Sequence, residues 1–425
     1  MRRFIYLLCL FFFQSVLSYG QELSFQVVDQ EDGSGIPFAT LFFTATNVGY
    51  SANSSGNFTL ALESYAPQDS LVISSLGYLS KTISVESAAE TTTVGLMPDF
   101  KILKEVVVSA RREDKRTLIK NTNRFLKDYL GKEPYYLFSF YKETLKHHNR
   151  YIGYTEAYGI LHVAGYQPSY NRKNQLFSYD LAQWKNIRRS EYSSILDCDT
   201  SRTLAIDKLL KAKSEYLFNG PLNRYDDFTY KIDSGFSSND SEILIVKFSA
   251  KDQGYQGELW IEDSSQKLLS MHVIDAKINE RVRSKCQYTS GDFEINFIML
   301  EDEYFVNHVS FTLKDTTHYL TEELTIRGGE YRKNDVMKFN YDQRVILYNE
   351  MLNPLVMYEQ SFWEDHGVEV DVKIDDDLSL DTPLPDQFFN HNGTRLIPLP
   401  TEFNSYEELY KRRDLFQMFM LNSDL

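Results

Sequence analysis

Two glutamates in one hairpin are the side chains of this chain best placed to do chemistry. Residues 135–144 and 151–163 alternate polar and apolar side chains around a polar tip, His147-His148-Asn149-Arg150, which predicts a β-hairpin. With Lys146 paired to Tyr151, Glu143 faces Tyr154 and Tyr141 faces Glu156. Glu143 and Glu156 then share one face as diagonal neighbours, ~7–8 Å apart, among Tyr141, Tyr154 and Tyr158. Two acids at that spacing suit general acid and base work on a glycosidic bond. They suit equally well two structural acids, each held by an Arg or Tyr donor in or beside the sheet. The arrangement depends on register, because a slip of one residue sends one acid to the opposite face. No catalytic residue is assigned on this basis. Tyr141, Glu143, Tyr154, Glu156 and Tyr158 are candidate ligand-binding residues.

Other constellations are weaker. His147 and His148 read as an exposed loop pair rather than a metal site, since adjacent side chains in extended chain point opposite ways and cannot easily hold one ion. His366-Gly367-Val368-Glu369 has the His-x-x-Glu spacing of a zinc peptidase. Its single later histidine, His391, is too near, and too little chain follows for the domain such an enzyme needs. Asp375-Asp376-Asp377, with Asp371 and Asp381, lacks the alternating order of a calcium loop and reads as a solvated acidic turn. There is no glycine-rich phosphate loop, nucleophile elbow or paired-cysteine zinc motif. No metal and no cofactor is implied. Trp184, Trp260 and Trp363 could line a glycan or lipid surface, although aromatics spaced by two ordinarily fill sheet cores.

What must position the hairpin is mostly strand. Further strands are predicted at 228–233, 242–249, 256–261, 267–276, 282–288, 294–305, 309–313 and 319–327. Helices are predicted near 114–130, 202–214 and 405–420. The first carries Leu118, Thr122, Phe125, Leu126, Tyr129 and Leu130 on one stripe, and the last opens with the capping box Ser405-Tyr406-Glu407-Glu408. Residues 114–425 therefore predict one β-rich domain, a large antiparallel sheet or open barrel with a few packed helices. Ahead of it, short strands with Asp-Gly and Ser-Gly-Asn turns predict a β-sandwich over 22–98. Residues 99–113 read as a linker. The fold class is mainly β.

The first twenty residues have the parts of a signal peptide. Arg2 and Arg3 precede an apolar run over 4–13, and Ser18-Tyr19-Gly20 sets cleavage before Gln21. Cys9 lies mid-run, which argues against a lipid-anchored lipoprotein. No later segment is apolar enough to span a membrane as a helix, so no transmembrane segment is expected after cleavage. The chain is expected to be exported, periplasmic or outer-membrane associated. A net charge of −15 argues against nucleic acid as a partner. Cys198 and Cys286 remain after cleavage. They either pair, which would contribute ~4 kcal/mol in the chain-entropy model, or stay as two separate buried thiols.

Several stretches resemble the carboxypeptidase-regulatory-like domain, a transthyretin-like sandwich common in Gram-negative envelope proteins. They are Val27-Val28-Asp29, Ile36-Pro37-Phe38-Ala39-Thr40, Ser55-Gly56-Asn57-Phe58, Ile73-Ser74-Ser75-Leu76-Gly77-Tyr78 and Glu105-Val106-Val107-Val108, matching in order and spacing. The resemblance implies a scaffold or docking role, not catalysis. Phe25 stands where that family often has glycine. Val106-Val107-Val108 also resembles the coupling box of TonB-dependent transporters; a last sandwich strand is the simpler reading, with strand addition to a partner as the alternative.

Phe140-Tyr141-Lys142-Glu143 with Glu156-Ala157, Asn219-Gly220-Pro221-Leu222 and Tyr358-Glu359-Gln360-Ser361-Phe362-Trp363 resemble a family of envelope proteins of unknown function that carry this N-terminal domain. Lys142 departs from the arginine expected there. Gly257-Glu258-Leu259-Trp260-Ile261-Glu262-Asp263 with its return strand resembles a rib of the lipoprotein-carrier open barrel, which cups a lipid chain. The sequence thus describes a non-enzymatic exported envelope protein. Its sandwich is a scaffold, and its β-rich domain binds an apolar or glycan ligand or a partner protein. An envelope polysaccharide hydrolase using Glu143 and Glu156, and a structural assembly factor, are the alternatives.

Overall fold

The computed structural model describes residues 22–45, 48–53, 55–61, 68–75, 77–98, 101–102, 115–130, 135–163, 181–190, 209, 212–238, 241–252, 254–277, 288–300, 303–328, 358, 360–365, 370 and 372–391. The signal peptide, most of the linker, Cys198, Cys286, the His366–Glu369 motif and the 405–420 helix lie outside these residues. So do nearly all of the predicted helix at 202–214 and the predicted strand at 282–288, of which Tyr288 is described.

The N-terminal part is a two-sheet sandwich. One sheet has the order β4 (Asn57–Ala61), β1 (Glu22–Asp29), β7 (Thr93–Leu96). The other runs β3 (Val48–Ser51), β2 (Thr40–Phe43), β5 (Ser70–Ser74), β6 (Lys81–Ser84). Alternation places Leu23, Phe25, Val27, Leu41, Phe43, Phe58, Leu71 and Ile73 between the sheets. Phe25 pairs directly with Phe58, ring centroids 5.5 Å apart, so the residue that departs from the family pattern packs as core. Gly56 has φ of 80° with its Cα against the Val27 carbonyl, a position where a Cβ would sit 2.5 Å from that oxygen. β6 ends at Ser84. Ser84 caps a short helix, α1 (Val85–Ala89), through its hydroxyl on the Ser87 amide, which turns Val85 and Ala88 into the core.

The second part is a single eleven-stranded sheet. Its order is β11 (Leu181–Arg189), β10 (Arg150–Val163), β9 (Tyr135–His147), β18 (His318–Gly328), β17 (Glu303–Lys314), β16 (Ser290–Leu300), β15 (Lys267–Lys277), β14 (Gln256–Glu262), β13 (Ser241–Ala250), β12 (Phe228–Ser238) and β8 (Lys101–Ile102). All neighbours are antiparallel. The predicted strand at 294–305 is in fact two, because the chain reverses between Leu300 and Glu303. β8 comes from the region read as linker and pairs with Phe236 and Ser237 of β12.

The inner face is apolar over most of its width. Helix α2 (Lys115–Tyr129) lays Leu118, Ile119 and Leu126 against it, and Phe125 meets Tyr304 edge to face at 5.4 Å. Three short helices, α3 (Gln360–Asp365), α4 (Val372–Leu378) and α5 (Leu384–His391), lie on the outer face over β9–β11. No described helix is long and apolar enough to cross a membrane.

The sandwich also docks on the outer face. Asn307 is the extra residue of a bulge in β17. Its amide donates to the Phe38 carbonyl at 3.3 Å, and its side-chain oxygen meets the Ser51 hydroxyl. The ring of Phe38, held at φ of 54°, stacks 3.6 Å from that of His308. His308 is fully buried, and burial pulls its pKa down to about 3, with Lys142 adding to the shift.

Candidate functional site

The hairpin forms where the sequence predicts it, and Lys146 pairs with Tyr151 as expected. Ile152 is then inserted as a β-bulge, so Gly153 rather than Ile152 faces Leu145, and every later pair moves by one. Glu143 pairs with Thr155, and Tyr141 with Ala157. The consequence is that the five candidate residues do not share a face. Tyr141 and Glu143 point inward. Tyr154, Glu156 and Tyr158 point outward. Glu143 and Glu156 therefore do not form the paired-carboxylate arrangement expected from the sequence. Gly153, inside the strand, is the local signal for this bulge.

The outer face closes on its charges. Register lines up Arg188, Glu156, Lys142 and Glu323 across four adjacent strands, so charge alternates along one row. Arg188 donates to Glu156 through Nε at 2.7 Å and Nη2 at 2.5 Å, both side chains being over 90% buried. Its guanidinium stacks 4.3 Å from Trp363 and 5.5 Å from Phe388. Trp363 in turn donates through Nε1 to Asn186 at 2.7 Å. Burial opposes the charge on Arg188, and Glu156 and Tyr154 more than offset it, so its pKa ends above the usual value. Burial, reinforced by Glu156, pushes the Tyr154 hydroxyl well up. Burial likewise raises Glu323, against the opposing pull of Lys142 at 3.9 Å. Tyr158 packs against Phe140 and Phe362, each at 5.0 Å. This is a filled contact that fastens the C-terminal helices to the sheet.

The inner face of the same strands is different. Its row reads Arg189, Thr155, Glu143, Glu322, and then Phe311, Phe293 and Val273. Polar side chains thus occupy the β11–β10–β9–β18 end of an otherwise apolar surface. Glu143 and Glu322 are directly opposed and buried, and the Tyr141 hydroxyl donates to Glu143 Oε2 at 2.9 Å. Tyr288 is 1% exposed. Burial raises its pKa first, and Asp315, Glu143 and Glu322 raise it further, so the hydroxyl stays protonated. Among the described residues, Tyr288 Oη and Arg189 Nε are buried without a hydrogen-bond partner. Arg188, Trp363, Glu322 and Tyr288 had no signal in the sequence as members of these rows. Only strand register brings them there.

At the hairpin tip, His148 takes φ of 54°, so the two histidine rings meet at 4.4 Å instead of diverging, and His147 stacks on His318 at 4.9 Å. No three His, Cys, Asp or Glu side chains among the described residues converge to hold a metal. Asp375, Asp376 and Asp377 lie on α4, not in a turn. Asp377 accepts from the Tyr151 amide at 3.0 Å and so ties α4 to the hairpin.

Residues 24–108 match the family described as the CarboxypepD_reg-like domain, so the sandwich is a domain of that type. No curated protein matches the chain. Among solved structures, the chain is similar to a DUF1329 family protein from Desulfovibrio piger, at 9% identity over 50% of this chain and 92% of that one, with a TM-score of 0.26. It is similar to an outer membrane lipoprotein-sorting protein domain from Vibrio parahaemolyticus, at 10% identity over 52% and 94%, TM-score 0.23. A LolA superfamily protein from Nitrosomonas europaea matches at 7% identity over 51% and 94%, TM-score 0.23.

Proposed function

We propose that this chain is a non-enzymatic, exported envelope protein that binds a ligand on the inner face of its large sheet. The binding end is the polar row on β11, β10, β9 and β18, and the N-terminal sandwich is the scaffold and docking module. The observation that carries this reading is the polar row of half-buried Arg189 and buried Thr155, Glu143 and Glu322 on a face that is elsewhere apolar. A sheet that only had to fold would bury apolar groups there, because buried polar groups are expensive unless they are used. Over β12–β17 the inner face is filled by α2 and its neighbours, which suits a scaffold. The leader at residues 1–20 supports export, and a periplasmic or outer-membrane site of action follows from it. The hydrolase alternative loses its acid pair, since Glu143 and Glu156 lie on opposite faces.

The test is thermal unfolding of the exported chain against envelope-derived lipids and glycans. A rise in Tm that disappears in Glu322→Gln and in Glu143→Gln, both folded, supports the inner-face site. A rise that survives both substitutions moves the site elsewhere.

A further inference from the structure

We infer that the stacked histidines His147, His148 and His318 form a pH-sensitive latch, which holds the tip of the β9–β10 hairpin to the turn between β17 and β18 at neutral pH and releases it in mild acid. Two hairpin ends lie side by side here. His147 ends β9 and pairs across the ladder with His318, the first residue of β18. Their rings stack at 4.9 Å with 23° between the planes, and His148 meets His147 at 4.4 Å. His148 reaches the stack because its φ is 54°, a left-handed conformation that a non-glycine residue adopts at some cost. In that conformation its amide donates to the Thr317 carbonyl at 2.6 Å, which closes the junction.

The charges around the stack make the junction sensitive to protons. His148 and His318 disfavour a proton on His147, and Asp315 favours one. Asp315 is already engaged, because it accepts from the Thr317 and His318 amides at 2.7 and 2.8 Å and from His318 Nδ1 at 3.1 Å. With Nδ1 donating, a second proton on His318 would sit on Nε2. That atom is buried and meets no hydrogen-bond partner among the described residues. One carboxylate thus serves three imidazoles, and a second positive charge on the stack has no counterpart. Like charges at this spacing repel, the more so when partly shielded from water. The other charges of the tip are engaged elsewhere. Lys146 lies over the Tyr151 ring at 4.2 Å, and Lys314 pairs with Asp275 and Asp292. Arg150 donates to the Asp377 carbonyl at 3.4 Å, and Lys373 pairs with Asp377 within α4. Burial first, then His148 and His318, hold His147 below its usual pKa, so the closed tip binds fewer protons than the released one. Closure is therefore complete above the ordinary histidine value of about 6.5 and is lost as pH falls below it. Tyr151 beside the tip donates its amide to Asp377 at 3.0 Å, so release also loosens the anchorage of α4.

The experiment is hydrogen exchange of the full chain, read by mass spectrometry at pH 7.5 and 5.5 with rates corrected for the intrinsic effect of pH. Protection of the peptide spanning residues 144–152 should fall tenfold or more at pH 5.5, while peptides from β13 to β15 keep theirs. His147→Phe retains a ring in the stack without a titrating group, and should hold the tip closed at both pH values. His148→Asn, whose side chain tolerates positive φ, should reduce the fall to threefold or less. Unchanged protection of the tip at pH 5.5 in the parent would overturn the latch. So would an equal loss of protection over β13 to β15, which is general acid unfolding. A tenfold fall that persists in both folded variants would show that the histidines are not the sensor and overturn it as well.

Discussion

The two faces of one hairpin carry the same kinds of residue and use them in opposite ways. Outside, Glu156 is met by Arg188, and the pair is roofed by Trp363 and Phe388. Inside, Glu143 is opposed by Glu322, and the nearby hydroxyl of Tyr288 has no partner among the described residues. A buried opposite-charge pair with its donors satisfied is a fastening. Two buried acids face to face are a different arrangement, with Glu143 accepting from the Tyr141 hydroxyl on its own strand.

The largest expected effect lies on the outer face. Glu156→Gln leaves the Arg188 charge buried with a neutral neighbour and should lower stability by about 3–5 kcal/mol. Urea unfolding measures it. The double variant Glu156→Leu, Arg188→Met should regain most of that loss, because an apolar pair of similar volume removes both desolvation penalties. If the double variant is no better than the single one, the pair is not the fastening described here.

The sandwich contact should be next in size, and it depends on pH. His308 is neutral in the fold, with its pKa near 3, and titrates near 6.5 when unfolded. The unfolded chain therefore binds the extra proton, and stability falls as pH drops below 6.5 by about 1.4 kcal/mol per unit until pH nears 3. His308→Gln should flatten the slope between pH 6.5 and 5, whatever its effect at pH 7.5. Equal slopes in parent and variant over that window would contradict a buried neutral imidazole at the docking surface.

The inner face should respond least in stability. Glu143→Gln keeps an acceptor for the Tyr141 hydroxyl and removes one of two opposed acids, so the change should stay within about 1 kcal/mol of the parent or favour the fold. This differs from the equal loss that a pair of structural acids would show. A loss as large as that of Glu156→Gln would erase the contrast between the faces. Tyr288→Phe should be neutral or stabilising by up to about 1 kcal/mol, since it deletes a buried hydroxyl without a described partner. Differential scanning calorimetry resolves both.

Much of this molecule was legible in its residues. Alternation marked the hairpin, its tip and most strands of the large sheet, because a half-buried strand repeats every two residues whatever its neighbours are. The stripe from Leu118 to Leu130 marked α2 for the equivalent helical reason. Turn residues and motif order marked the sandwich. Two misreadings came from local breaks in those patterns. The run at 294–305 hid a reversal at Leu300 and Glu303, and the Ile152 bulge shifted the hairpin register by one.

The sequence by itself determined that Glu143 and Glu156 sit on paired strands among tyrosines. Which face each one takes was decided by the bulge at Ile152. A bulge depends on whether the extra residue finds a place to pack, and Ile152 packs against the main core. Strand order was equally out of reach, since β18, distant in sequence, is what brings Glu322 to Glu143 and Glu323 to Lys142. A side-chain period of two is local and can be read from one strand. Register and neighbour choice come from the whole sheet's burial, and only the folded chain settles them.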